Sequence, residues 1–138
     1  MADRFHVHGY VIESVQAVRK SVQSTLSPRA KGILKSHHRL LNPPADSLPD
    51  KSKTQLIQLL AFSPILREVW EWKESFSRWY DYSPNFDVAR LCFIRWCQQG
   101  EGIEHEAVQN ALKTMRNWEE EIVNPSLPLD ERDSRRTA

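Results

Sequence analysis

Residues 64–80 read PILREVWEWKESFSRWY, and this stretch decides the class of fold. It begins directly after Ser63, and a Ser-Pro pair is typical of a helix start, with the serine as N-cap and the proline in the first turn. Apolar residues then recur three or four positions apart, which is the spacing of one side of an α-helix. On that side we place Leu66, Val69, Trp70, Phe76, Trp79 and Tyr80.

The same spacing predicts helices on both sides of this stretch. The first follows residues 2–7 and carries Ile12, Val15, Val18, Val22 and Leu26. Ser27-Pro28 starts a second helix that we expect to reach about Leu41, before Asn42-Pro43-Pro44 stops it. A third begins at about Asp50, and the last covers about residues 103–123.

A further helix is predicted over about residues 86–99. Its patterned side is expected to carry Val88, Leu91, Cys92, Arg95 and Trp96. We expect Gly100 and Gly102 to end it as left-handed cap residues do. The spacing of Cys92 and Cys97 places the thiols on different sides of the helix, which favours two reduced cysteines over a disulfide.

The sequence therefore predicts an all-α fold of about six helices in an irregular bundle. Four of the five tryptophans, at 70, 79, 96 and 118, are expected in its core, because rings at helical spacing usually pack there. Residues 1–8 are predicted to be the end of a core β-strand, so that residues 1–123 form one region. Residues 124–138, NPSLPLDERDSRRTA, lack an apolar side and are predicted to be a disordered or unrelated tail.

The charge is unevenly distributed along the chain. The whole sequence carries a formal net charge of +1, but residues 1–40 hold seven Lys or Arg against two Asp or Glu. Such asymmetry points to a polyanionic partner, although a solvated basic face is an equally good interpretation. No apolar run approaches the roughly 20 residues of a membrane span, and no signal peptide is recognisable, so a cytoplasmic protein without membrane contact is expected.

One acidic residue suggests metal chemistry. In MADRFHV, residues 1–7, Asp3 would lie at the tip of the predicted strand. A carboxylate in that position suits Mg²⁺, which prefers hard oxygen ligands and can activate a water or hydroxyl nucleophile. A single carboxylate cannot hold a catalytic pair of metal ions, so this signal is weak by itself.

Four segments resemble one family. DRFHVHGYVIESVQAVR, residues 3–19, is similar to the DRFHV passage of DDE transposases of the ISL-three group of insertion sequences. The resemblance continues through KGILKSHHRLLN at 31–42, LLAFSPILREVWEW at 59–72 and AVQNALKTMRNWEEEI at 107–122. The ordered series covers about Ala2 to Val123, and it is more specific than any one segment.

The resemblance implies a parent enzyme with an RNase H-like core. In such enzymes three acids (Asp, Asp and Glu) hold two metal ions, expected to be Mg²⁺, that drive cleavage and joining of DNA strands at insertion-sequence ends. Asp3 matches the second Asp, and the chain corresponds to the helical insertion before the Glu. After Val123 the passage that would hold the Glu is not recognisable. We therefore expect a truncated transposase that is catalytically inactive alone and binds no metal tightly.

The insertion would help to arrange DNA. Lys31, Lys35, His38 and (less closely) Arg39 recur at spacings that can bring them along one side of the second predicted helix, and we expect them to contact phosphates. A different class of function stays open. The chain could be a standalone helical module that binds proteins or associates with itself through exposed apolar surface.

Overall fold

The computed structural model describes residues 4–82 and 85–117, without the side chains of residues 4–7, 77, 79–82 and 86. In this part the chain forms six α-helices and two 3-10 turns, and the all-α prediction is confirmed. The elements are α1 (Arg4–Gln23), α2 (Pro28–Ser36), the 3-10 turns η1 (His38–Leu41) and η2 (Ala45–Ser47), α3 (Asp50–Ala61), α4 (Pro64–Tyr82), α5 (Phe86–Glu101) and α6 (Glu106–Arg116).

The helix starts follow their local sequence signals. The hydroxyls of Ser27 and Ser63 each accept a hydrogen bond from the backbone N–H three residues further on, at 3.3 Å in both cases. Pro28 and Pro64 occupy the first helical positions, where a missing N–H costs nothing. Asn85 caps α5 in the same way, with its side-chain oxygen 2.9 Å from the N–H of Val88.

Four helices surround the core. α1 packs against α4 and α6, and α5 closes the ring by packing against both α4 and α6. α2 and η1 lie on α1, while α3 packs against α4 and η1. Fully buried side chains from all these elements meet in one apolar cluster, which includes Val11, Val15, Val18, Leu34, Leu41, Leu59, Leu66, Val69, Phe76, Phe93, Trp96, Val108 and Met115. Within the described residues, none of the helices has the length and apolar character needed to cross a membrane.

A reciprocal pair of tryptophans joins α4 to α5. The rings of Trp72 and Trp96 stack with their centroids 4.1 Å apart and their planes 3° from parallel. Each indole N–H donates to the backbone carbonyl of the other residue, at 2.9 Å from Trp72 and 2.8 Å from Trp96. Both donors are therefore satisfied inside the core, where an unpaired N–H would be costly. Trp70 is only half-buried, and the side chains of Trp79 and Trp118 lie outside the described residues.

The predicted strand end over residues 1–8 is not found in its described part. Residues 4–8 belong to α1, which begins at Arg4. A lone strand has no neighbour to bond its backbone groups, whereas a helix bonds its own. Residues 1–3 and the predicted tail at 124–138 lie outside the described residues.

The buried side of α5 differs from the prediction. Ala89, Phe93, Trp96 and Cys97 face the core, while Leu91 is 58% exposed. Both cysteines are free thiols, as predicted.

The glycines at the end of α5 also act otherwise than predicted. The helix runs through Gly100, and Gly102 has a φ of −77°, so neither is a left-handed cap. Gly100 is needed for close packing instead, because a Cβ there would lie 2.9 Å from Cζ2 of Trp72.

α2 is shorter than predicted. It ends at Ser36, and residues 38–41 form η1 instead of continuing the helix to Leu41. Leu34 and Leu41 are both fully buried, as the predicted helix also required. The predicted stretch of the last helix beyond Asn117 lies outside the described residues.

Candidate nucleic-acid interface

A long segment of the chain carries basic residues and no acidic ones. Between Glu13 and Asp46 the sequence contains six Lys or Arg residues, namely Arg19, Lys20, Arg29, Lys31, Lys35 and Arg39, together with two histidines. This acid-free segment, residues 14–45, forms the second half of α1 and all of α2 and η1. It concentrates positive charge in one part of the sequence, although the chain as a whole is close to neutral.

Most of these cations are available to a partner. Lys20, Arg29, Lys31, Lys35 and Arg39 are all exposed. In the described part of the chain, the ion pairs join Arg67 to Glu71, Lys73 to Glu74 and Arg116 to Glu101, so none uses a cation of the acid-free segment.

His38 and Arg39 do not lie on α2 with the two lysines, as the predicted helix required. They belong to η1, and His38 folds back toward the end of α2, with its Nδ1 2.9 Å from the carbonyl oxygen of Lys35. A carbonyl only accepts, so Nδ1 carries the proton of a neutral ring and Nε2 is an acceptor. A phosphate contact from His38 therefore requires the protonated ring.

A buried lysine fixes the chain where the segment ends. Lys73 Nζ donates to three successive carbonyls, those of Leu41 at 2.9 Å, Asn42 at 3.2 Å and Pro43 at 3.0 Å. Its side chain is 1% exposed, and Glu74 Oε2 lies 2.9 Å from the ammonium. Three carbonyls use all three ammonium protons, so the contact with Glu74 Oε2, which lacks a hydrogen bond, is mainly electrostatic.

Burial and Glu74 act in opposite directions on Lys73. Burial lowers the pKa of the Lys73 ammonium, while the adjacent Glu74 carboxylate raises it, and burial is the larger effect. The other carboxylate oxygen, Glu74 Oε1, accepts from the N–H of Ala45 at 2.8 Å. Together the two side chains hold both ends of the Pro43-Pro44 connection against α4.

A second polar network joins α1 to η1. Gln16 Nε2 donates to the carbonyl of His38 at 3.0 Å and to Asn42 Oδ1 at 2.8 Å. Arg19 donates to Gln16 Oε1 at 2.8 Å and to Gln23 Oε1 at 2.7 Å. Arg19 is 7% exposed and has amides rather than a carboxylate as partners, and burial lowers the pKa of its guanidinium.

Comparison with protein families finds a match that covers most of the chain. A family model described as a transposase, for the DDE enzymes of the ISL-three group, matches residues 1–127. The chain belongs to this transposase family. The match includes the whole acid-free segment and every described helix, and it runs past Val123, where the resemblance seemed to stop. Comparison with curated proteins and with solved structures finds no match.

Transposases of this kind generally use divalent metal ions, so the described residues can be tested for a site. Within residues 4–82 and 85–117, no group of three or more His, Cys, Asp or Glu side chains lies close enough to hold a metal ion. Asp3, the predicted ligand, lies outside the described residues.

Sequence reasoning found the basic segment but missed the side chains that shape it. Lys73 occupies the core side of α4 between Val69 and Phe76, a position whose spacing could have marked it as buried. Gln16 and Arg19 gave no such signal, because their partners lie on other turns and on η1. Lys20 and Arg29 belong to the same exposed set as the predicted DNA contacts.

Proposed function

We propose that this chain contacts the phosphate backbone of duplex DNA through its acid-free segment, as the DNA-arranging helical part of a transposase. Lys31, Lys35 and Arg39 supply the principal contacts, and His38 joins them when protonated. The observation that carries this proposal is the run of exposed, unpaired cations at residues 20–39 within 32 residues that contain no acid. Family membership supports DNA as the polyanion.

Contacts of this type are independent of sequence and depend on salt. Each phosphate that a cation neutralises releases counterions, and the logarithm of the binding constant then falls with the logarithm of salt concentration by about 0.9 per contact. Four contacts would give a slope between about −3 and −4. We therefore expect binding to duplexes of unrelated sequence at low salt, and steep weakening as salt is added.

The test is fluorescence anisotropy with a labelled duplex across a salt series. Lys31→Gln, Lys35→Gln and Arg39→Gln should each weaken binding to all duplexes and reduce the magnitude of the salt slope by about 1. Lys113→Gln is the matched control, because Lys113 is equally exposed but lies on α6, outside the acid-free segment. Equal effects of Lys113→Gln and Lys35→Gln would contradict a localised interface, and undetectable binding at low salt would contradict the proposal itself.

We further propose that the chain does not catalyse strand transfer alone. The family chemistry implied by the resemblance needs three acids around two metal ions, and only Asp3 matches one of them. Incubation with insertion-sequence ends and Mg²⁺ should leave the DNA uncut at protein concentrations that saturate binding. Cleavage that disappears in Asp3→Asn would overturn this part of the proposal.

Protein interaction is the second candidate, and one apolar surface favours it. Ile57 on α3 is 68% exposed and lines a groove of about 250 Å³ together with Leu56, Leu60 and Trp70. A second copy of the chain would be the simplest occupant. Sedimentation velocity that shows concentration-dependent association, lost in Ile57→Asn, would support this candidate, while a monomer that binds duplex DNA would favour the first.

A further inference from the structure

The η1 turn is held from two sides by side chains of neighbouring helices. From α1, Gln16 Nε2 donates to the carbonyl of His38 and to Asn42 Oδ1, at 3.0 and 2.8 Å. From α4, the buried Lys73 binds the carbonyls with which the turn ends. The exposed Arg39 and the half-buried His38 of η1 therefore lie on backbone that is fixed at both of its ends.

Arg19 determines which way the Gln16 amide points. A guanidinium can only donate, so the amide oxygen of Gln16 must face Arg19 Nε, 2.8 Å away. Its NH₂ group is then left to face η1, where it finds two acceptors. Arg19 is itself held by Gln23 Oε1, at 2.7 Å. The orientation of this amide is thus set by hydrogen bonds on both of its atoms.

We propose that Gln16, oriented by Arg19, is a positioning residue for DNA binding. It fixes the backbone of η1 in the position from which Arg39 and the protonated His38 contact phosphates. Lys31 and Lys35 on α2 contact other phosphates of the same duplex. This inference rests on the proposed function and adds to it the residues that act from behind the interface. Gln16 acts through η1 and contributes no charge.

The first test compares two glutamines. Gln16→Met removes both donors and keeps the length of the side chain. Gln109→Met is the matched control, because Gln109 Nε2 also donates to two acceptors, the carbonyls of Gly100 at 3.0 Å and Ile103 at 2.8 Å, in the α5–α6 loop. We expect Gln16→Met to raise the Kd for duplex DNA by about five- to tenfold, the range of one or two lost phosphate contacts. Gln109→Met should change it by less than about twofold.

A double-mutant cycle separates positioning from loss of fold. If Gln16 acts through η1, its substitution should matter little once the side chains it positions are gone. In a His38→Ala/Arg39→Ala background, the effect of Gln16→Met on the Kd should therefore fall below about twofold. A residue that merely stabilises the fold would weaken binding by the same factor in both backgrounds, and that result would overturn the proposal.

Amide hydrogen exchange tests the same contact without DNA. The N–H groups of Leu40 and Asn42 bond to the carbonyls of His37 at 3.0 Å and Arg39 at 3.2 Å within η1. Exchange at both should accelerate in Gln16→Met and stay unchanged in Gln109→Met. Unchanged exchange in Gln16→Met overturns the positioning role, even where the wild type binds DNA.

The two proposals fail in different ways. A wild type that does not bind duplex DNA at low salt overturns the proposed function and the role of Gln16 with it. A wild type that binds, with the same affinity as Gln16→Met, overturns only the role of Gln16.

Discussion

Gly100→Ala is expected to destabilise the protein, although alanine is the better helix former. Gly100 lies inside α5, where alanine would usually stabilise a helix by about 1 kcal/mol. Its Cβ, however, would lie 2.9 Å from Cζ2 and 3.0 Å from Cε2 of Trp72, and 3.0 Å from Cδ1 of Leu112. Carbon atoms in good contact stand about 3.5–4.0 Å apart, so something must move by more than half an ångström.

The Trp72 ring cannot easily move away. It stacks on Trp96 at 4.1 Å, and its indole N–H is bound to the Trp96 carbonyl at 2.9 Å. Overpacking in such a site costs about 1–3 kcal/mol, which meets or exceeds the gain in helix propensity. We expect a net loss of up to about 2 kcal/mol, and a Tm lower by up to about 6 °C for a chain of this length.

Gly32→Ala is the matched control. Gly32 lies inside α2, and a Cβ there would meet no atom within 4 Å. Only the helix-propensity term applies, so this substitution should raise the free energy of unfolding by about 0.5–1 kcal/mol. Urea and thermal unfolding followed by circular dichroism measure both variants. Stabilisation by Gly100→Ala equal to that by Gly32→Ala would refute the argument. It would mean that the Trp72 ring can move away from the added methyl group without loss of free energy of unfolding.

Three further substitutions test the groups around the interface and the last helix. Lys73→Met should destabilise the protein by about 3 kcal/mol, since Glu74 then keeps a buried charge without its partner. Because burial lowers the pKa of Lys73, the native state loses this proton at a lower pH than the unfolded chain. The stability of the wild type relative to Lys73→Met, measured by urea unfolding, should therefore rise as the pH approaches the unfolded value of about 10.4, and a fall would contradict that direction. His105 caps α6 through Nδ1, which accepts from the N–H of Ala107 at 3.1 Å. His105→Ala should lose about 1 kcal/mol in thermal unfolding while His105→Asn keeps most of it, and equal losses would exclude a capping role. Lys31→Gln should raise the free energy of unfolding by about a few tenths of a kcal/mol at low salt, because it removes the repulsion with Lys35. Thermal unfolding should show this gain vanish at high salt if the effect is electrostatic.

The helix starts could be predicted from local sequence signals. The buried side of α5 could not, because it depends on side-chain volume. The Ser27-Pro28 and Ser63-Pro64 pairs locate two helix starts because the capping groups are neighbours in sequence. The buried side of α5 instead includes the small residues Ala89 and Gly100, and Gly100 lets the helix approach Trp72 closely. Hydrophobic spacing favoured Leu91 over these residues, since it does not register how closely two helices pack.

The candidate interface likewise has a part that the sequence predicted and a part that it did not. The charges of Lys31, Lys35 and Arg39 were visible in the sequence, because the acid-free segment is continuous. The contacts that fix the end of η1 were not, since Lys73 binds its carbonyls from 30 or more residues away. A lysine on the core side of a helix signals burial, but nothing local identifies its acceptors.

The placement of charge favours a polyanionic partner over an apolar one. α2 has no acid in its first turn, where Arg29 lies and where the positive end of the helix dipole disfavours a cation. Lys31 and Lys35 repel each other one turn apart, and burial without a carboxylate lowers the pKa of Arg19 behind them. Each of these arrangements opposes folding by a small amount, and an apolar partner would relieve none of them. Phosphates along this surface would attract Arg29, Lys31 and Lys35, and their negative charge would also favour the charged form of Arg19. For this reason we place DNA before a second copy of the chain.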